Sequence, residues 1–250
     1  MRRVINIVLN TLCIFYIIPY LVLQIVRLLF GNISVEANLL CNTLMSYILI
    51  IIWTTYLKMK NSIKFNELPL FYLSRFKLIL FGSGLVGIGY SMALSILYFC
   101  PFFDVVIPNG FTYESYQRFY SSFIMLCLTV IIIPVIEELL FRGVIQNLFI
   151  KYIGLQKGLI LTAIFFGILH GKSMLFIFLV FYFTGWLYFK TKNIIYAICV
   201  HICINLTNVT LGLLGLLDNK IYAIYLCLLG IILLFIGLII CLIDKELKYK

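Results

Sequence analysis

The sequence predicts an all-α fold: a polytopic membrane protein of about eight transmembrane helices, with both termini on the cytoplasmic side. Three observations predict it. The first is composition. Of 250 residues, 64% are hydrophobic and 11% are charged, whereas soluble domains run about 45–50% apolar and about 25% charged. A mean hydropathy of +1.15 leaves too little polar surface to cover a water-soluble globule of this size. The second is the recurrence of apolar runs long enough to cross a ~30 Å hydrocarbon core. They fall at 4–29, 37–57, 77–100, 119–150, 158–171, 173–189, 194–216 and 220–243. The third is the placement of the cations. With the N-terminus inside and sides alternating, Arg27, Arg118, Lys172 and Lys220 are external and the other 15 of the 19 lysines and arginines fall on the cytoplasmic side. Such a bias sets orientation, and an even span count returns the C-terminus to the cytoplasm.

Each run carries its own signals. The first follows Arg2 and Arg3; it is too long for the apolar region of a signal peptide and has no small-residue cleavage site, so it reads as a span. The second ends at Lys58 and Lys60, and the fourth at Lys151. The fifth and sixth are short and meet at "HGKS" (170–173), which reads as a tight helical hairpin. The seventh follows Lys190 and Lys192, and the eighth closes the chain. No repeat, low-complexity tract or linker interrupts them, so residues 1–250 read as a single integral membrane domain. The net charge of +10 is then a matter of topology. A nucleic-acid partner would call for basic residues clustered in one soluble region, and the sequence has none. All eight cysteines lie in or beside spans and read as small packing residues. The sequons at Asn32 and Asn205 carry no weight, since the second is inside a span.

What remains is polar residues in apolar runs. A charge at mid-membrane costs at least about 2.5–3.5 kcal/mol on insertion scales, so such residues usually line a cavity and serve function. Glu137, Glu138 and Arg142 lie in the fourth run, and both histidines of the chain, His170 and His201, also lie in runs. Glu138 and Arg142, four apart, share a helix face and read as an ion pair, leaving Glu137 to point about 100° away. Pro134 removes a backbone donor just before the carboxylates. His201, Asn205 and Asn208 form a stripe on the seventh run. Counted from Lys151, Lys157 and Lys192 at ~1.5 Å per residue, Glu137, His170 and Asn205 all lie about 20 Å deep, and His201 about 14 Å. A lone His or Asn in a span is often an interhelical hydrogen bond worth about 1 kcal/mol, and a lone Glu–Arg pair can be helix glue. Four polar residues from three helices in one layer point instead to a site.

"EELLFR" (Glu137 to Arg142) fits EExxxR, "FGILH" (Phe166 to His170) fits FxxxH, and "HICIN" (His201 to Asn205) fits HxxxN. In this order, on successive membrane segments, they resemble the motifs of the CAAX protease and bacteriocin-processing (CPBP, or Abi) family, related to the type II CAAX prenyl endopeptidases. The resemblance covers about 119–216, and eight spans also match the family. It implies an intramembrane endopeptidase that hydrolyses a peptide bond with an activated water. Glu137 would be the general base, with His170 positioning or deprotonating the water. His201 and Asn205 would stabilise the oxyanion, Glu138 and Arg142 would hold Glu137 in place, and Phe166 would pack. The family is often labelled metalloprotease, and two histidines with a glutamate could make an open zinc site. But HExxH is absent, no soft or third imidazole ligand is at hand, and the resemblance points to a glutamate mechanism. No cofactor is therefore expected, with zinc the alternative. Two other functions compete. One is a non-catalytic bacteriocin-immunity or peptide-sensing protein. The other is a proton-coupled transporter, against which no inverted repeat or paired broken helices appear. A composition rich in Ile, Lys and Asn, without an organellar targeting signal, suggests a bacterial plasma membrane. The expected partners are the bilayer and a membrane-associated peptide or protein substrate, such as a bacteriocin precursor.

Overall fold

The computed structural model describes residues 2–30, 35–61, 73–95, 123–170, 174–216 and 219–243. Among these all regular structure is helical, with no strand. The helices are α1 (Arg2–Leu12), α2 (Ile18–Phe30), α3 (Val35–Lys60), α4 (Leu73–Ala93), α5 (Phe123–Cys127), α6 (Ile133–Leu140), α7 (Gln146–Ile153), α8 (Leu155–Leu169), α9 (Met174–Thr191), α10 (Ile194–Leu213) and α11 (Lys220–Ile243). Wider π-helical turns join α1 to α2 at Cys13–Ile17, α5 to α6 at Leu128–Ile132, and α6 to α7 at Phe141–Ile145. Among the described residues, five segments are long and apolar enough to cross a membrane: Arg2–Ile25, Leu40–Lys60, Phe123–Ile153, Ile194–Leu213 and Lys220–Leu242. A chain with five such segments is a multi-pass membrane protein. Three shorter apolar helices, Lys77–Ala93, Leu155–Leu169 and Ile177–Thr191, lie where the third, fifth and sixth runs were expected. The Asn32 sequon, positions 171–173 of the hairpin junction, and 96–100 and 119–122 at the ends of two expected runs lie outside the described residues.

Local chemistry sets the breaks. Gly154, at φ 84°, ends α7 in a conformation that L side chains rarely adopt, and its N–H bonds Ile150 O at 3.0 Å. At the turn between α9 and α10, Lys192 takes a positive φ of 55°. Asn193 then caps α10, its Oδ1 accepting the Ile195 N–H at 3.0 Å.

Side-chain contacts fix the relative directions of the helices. Tyr47 meets Glu137 and Asn61 meets Tyr152, so α3 runs parallel to the fourth span. Arg142 meets Phe181 while Asn147 meets Tyr188, so α9 is parallel to it as well. Glu138 meets His201 while Thr129 meets Asn205, so α10 is antiparallel. Leu80 meets Cys199 and Ser91 meets Asn208, which makes α4 parallel to α10.

The largest core cluster joins α3 (Ile50, Leu57), the fourth span (Leu140, Phe141, Val144, Ile145, Leu148, Phe149), α8 (Phe165, Phe166) and α9 (Phe181). The second strong contact, α4 with α11, is made by glycine. A Cβ at Gly89 would collide with the backbone of Leu234, and one at Gly230 with that of Ala93. Seven residues away, Gly237 meets the backbone of Gly82 and Val86 while Gly82 faces the side chains of Ile240 and Cys241, so the two helices cross antiparallel in close contact. The outer face of α11 presents Ile221, Tyr225, Leu228, Ile232, Phe235 and Ile239, the helical stripe of a surface meeting lipid.

Candidate active site

The fourth span carries the carboxylates, and its two π turns shape their surroundings. In the first turn the Ile133 N–H reaches five residues back to Leu128 O. In that register residue 134 would serve Thr129 O, but Pro134 has no N–H. Thr129 O is thereby left open, and the side-chain amide of Asn205 on α10 donates to it at 2.9 Å. The second turn begins at Phe141, one turn past Glu137, and contains Arg142. Its loosened carbonyls, Arg142 O and Gly143 O, accept from the Asn147 side-chain amide at 3.1 and 2.9 Å.

Glu137, Glu138 and Arg142 are all buried, Arg142 completely. Arg142 Nε lies 3.3 Å from Glu138 Oε2, the pairing expected from their i, i+4 spacing. The guanidinium has further partners on α9: Nη2 donates to Phe181 O at 2.9 Å and to the Thr184 hydroxyl. Its central carbon lies 3.2 Å from the centre of the Phe181 ring. Phe166 stacks on that ring at 3.4 Å, so Phe181 is held between a cation and an aromatic face. A buried cation supported on three sides locks its carboxylate partner in turn.

Glu138 has a second partner. Its Oε1 lies 3.1 Å from His201 Nδ1. A carboxylate oxygen accepts, so Nδ1 carries a hydrogen, and Nε2 is the ring nitrogen that faces Glu137, 3.7 Å from its Oε2. Glu138 thus ties together the fourth span and α10 as well as holding Arg142. His170, at the C-terminal end of α8, places Nδ1 2.9 Å from Phe166 O. A carbonyl can only accept, so Nδ1–H is the donor and Nε2 is left, among the described residues, as an acceptor without a partner. The ring packs on Phe166 at 4.3 Å, and Phe166 also meets the His201 ring edge-on at 5.9 Å. Phe166 is the aromatic surface between the two histidines.

The structure therefore brings Glu137, Glu138, Arg142 and His201 into one contact group, with Phe166 bridging from it to His170. Asn205 lies one turn beyond His201 and binds the backbone of the fourth span. Asn208, the last member of the stripe, accepts from Ser91 of α4 and belongs to another seam.

Sequence reasoning missed Tyr47. Its hydroxyl, on α3, donates to Glu137 Oε1 at 2.6 Å. Tyr16, in the first π turn, donates to Leu169 O beside His170 and lies within electrostatic range of Glu137. A tyrosine in a span is ordinary, and only their depth, in the layer of the carboxylates, could have marked these two. Among the described residues no three His, Cys, Asp or Glu side chains converge into a group that could hold a metal ion.

Comparison with known proteins adds one finding. Residues 118–207 match the family model described as "Type II CAAX prenyl endopeptidase Rce1-like". No curated protein and no solved structure matches the chain. The matched segment starts ahead of the fourth span and ends just past Asn205, so it holds every residue of the three motifs. On that match, the segment that carries the three motifs is similar to the type II CAAX prenyl endopeptidases, a family of membrane proteases.

Proposed function

We propose that this protein is an intramembrane endopeptidase in which Glu137 activates water against a peptide bond. One observation carries the reading. Glu137, buried in the segment that matches a protease family, has one oxygen held by Tyr47 while the other faces His201 Nε2 at 3.7 Å, beyond hydrogen-bond reach. A carboxylate so arranged is oriented without being consumed by its partners. Glu137 Oε2 takes a proton as water attacks the carbonyl carbon. As the C–N bond breaks, the same carboxyl returns the proton to the departing amine. His170 Nε2, free to accept, holds the water by its second hydrogen. His201 and Asn205 donate to the tetrahedral oxyanion. Donation from His201 Nε2 needs a hydrogen there as well as on Nδ1. Glu138 and Arg142 orient rather than react. No step uses a metal.

We further propose eight spans with both termini cytoplasmic, in a bacterial plasma membrane. The helix directions support this reading. The second, fourth and sixth runs lie parallel to one another, the third and seventh do too, and odd–even neighbours such as the fourth and seventh run opposite ways. A chain crossing alternately eight times requires that parity. The substrate class is a membrane-associated peptide or protein.

The test uses purified protein in detergent micelles with an unbiased peptide library, read by mass spectrometry. Defined cleavage products are expected from the wild type and none from Glu137→Gln. Products that persist in Glu137→Gln at the wild-type rate would overturn the assignment. A wild type that binds library peptides without cleaving them would leave a peptide sensor. Activity lost to a chelator and restored by zinc would reverse the metal-free mechanism.

A further inference from the structure

We infer that Tyr47, on α3 and outside the family-matched segment, is a positioning residue that fixes the orientation of the Glu137 carboxylate. The inference rests on the catalytic reading of Glu137 and deepens it. A carboxylate on a helix can rotate about its last bond, presenting either oxygen to a water. The Tyr47 hydroxyl removes that freedom by binding Oε1 at 2.6 Å. Oε2 is then directed toward His201 Nε2, at 3.7 Å too far for a hydrogen bond and open to a third group.

The phenol is itself well held. One turn further along α3, Ile50 is fully buried against Leu140, Phe141 and Ile145 of the fourth span. Trp53 Nε1 donates to Thr11 Oγ1 of α1 at 3.0 Å, anchoring α3 on its other side. Tyr16 adds a parallel restraint, since its hydroxyl bonds Leu169 O, the carbonyl next to His170. The two N-terminal tyrosines therefore hold the carboxylate and the turn that carries the water-binding imidazole. The purely structural explanation is that a buried phenol needs some acceptor and Glu137 happens to supply it. That explanation makes no demand on turnover.

The experiment takes the best-cleaved peptide of the library and compares wild type, Tyr47→Phe and Glu137→Gln in micelles. Tyr47→Phe should keep its melting temperature and KM, while kcat falls about tenfold or more, the usual weight of a hydrogen bond to a charged group. In infrared difference spectra, with Glu137→Gln as the reference, the Glu137 carboxylate band should move in Tyr47→Phe. If Tyr47→Phe does not accumulate, 3,5-difluorotyrosine at position 47 keeps the ring and strengthens the donor, and the band should move the opposite way. An unchanged kcat with an unchanged band overturns the inference, as does a loss confined to KM or to melting temperature. A Glu137→Gln protein that still cleaves, or a wild type that cleaves nothing, defeats the catalytic reading and takes this inference with it. A dead Glu137→Gln beside a fully active Tyr47→Phe defeats this inference alone.

Discussion

Two helix seams of this protein solve the same problem with different materials. Between α4 and α11 the contact is backbone on backbone, through Gly82 with Gly237 and Gly89 with Gly230. Between the fourth span and α10 it is polar, through His201 and Glu138, the latter held by Arg142 of its own helix. Lipid is as apolar as leucine, so burying apolar side chains does little to bring helices together there. Close van der Waals approach and polar contacts must do it. The two glycine pairs have no side chain that changes protonation or turns. The charged seam contains the carboxylates and one of the two imidazoles that the proposed chemistry uses. The difference separates scaffold from chemistry, and the two should respond differently to substitution.

The largest effect on stability is expected in the glycine seam. Gly89→Leu places a side chain where the Leu234 backbone already lies, so the loss should exceed the ~1–3 kcal/mol usual for overpacking. Size-exclusion chromatography in detergent should find no monodisperse protein; a normal peak would mean that the seam yields. Next is Arg142→Ala, which leaves Glu138 buried without its cation and should cost about 3–5 kcal/mol, read as a lower melting temperature. Replacing both partners, Glu138→Gln with Arg142→Met, should recover part of that loss because no lone charge remains. Cleavage should not return with it, since His201 Nδ1 has lost its carboxylate. Recovered cleavage would show that Glu138 serves stability alone. The smallest stability effect belongs to Glu137→Gln: an unchanged melting temperature beside a loss of cleavage of about 10²–10⁴-fold.

Much of the charged seam was legible in the sequence because spacing along one helix is a local property. The Glu138–Arg142 contact follows from i, i+4, and the shared layer of Glu137, His170, His201 and Asn205 follows from distance to basic markers. The opening at Thr129 O follows from Pro134 only once the turn is known to be π-helical, and 3.6-residue periodicity hides such turns. Contacts between helices were not legible. That Glu138 serves both Arg142 and His201 depends on how α10 lies against the fourth span. Tyr47 is 90 residues from its partner and is one of 17 tyrosines, with no neighbour that marks it. The glycine seam had a signal that went unread, since Gly82 and Gly89, like Gly230 and Gly237, stand seven residues apart, two turns on one face.

The π turns also bear on how this chain should be lined up with its relatives. A π turn holds one more residue than an α turn, so it amounts to a single-residue insertion that rotates everything beyond it by about 100°. One such insertion, at Leu128–Ile132, falls just upstream of the adjacent glutamates. A relative whose span lacks the extra residue can be superposed on this one only with a gap at that turn. An alignment drawn without the gap slips by one position, and here the slip raises no alarm. It sets glutamate against glutamate, exchanging the carboxylate held by Tyr47 for the one held by Arg142.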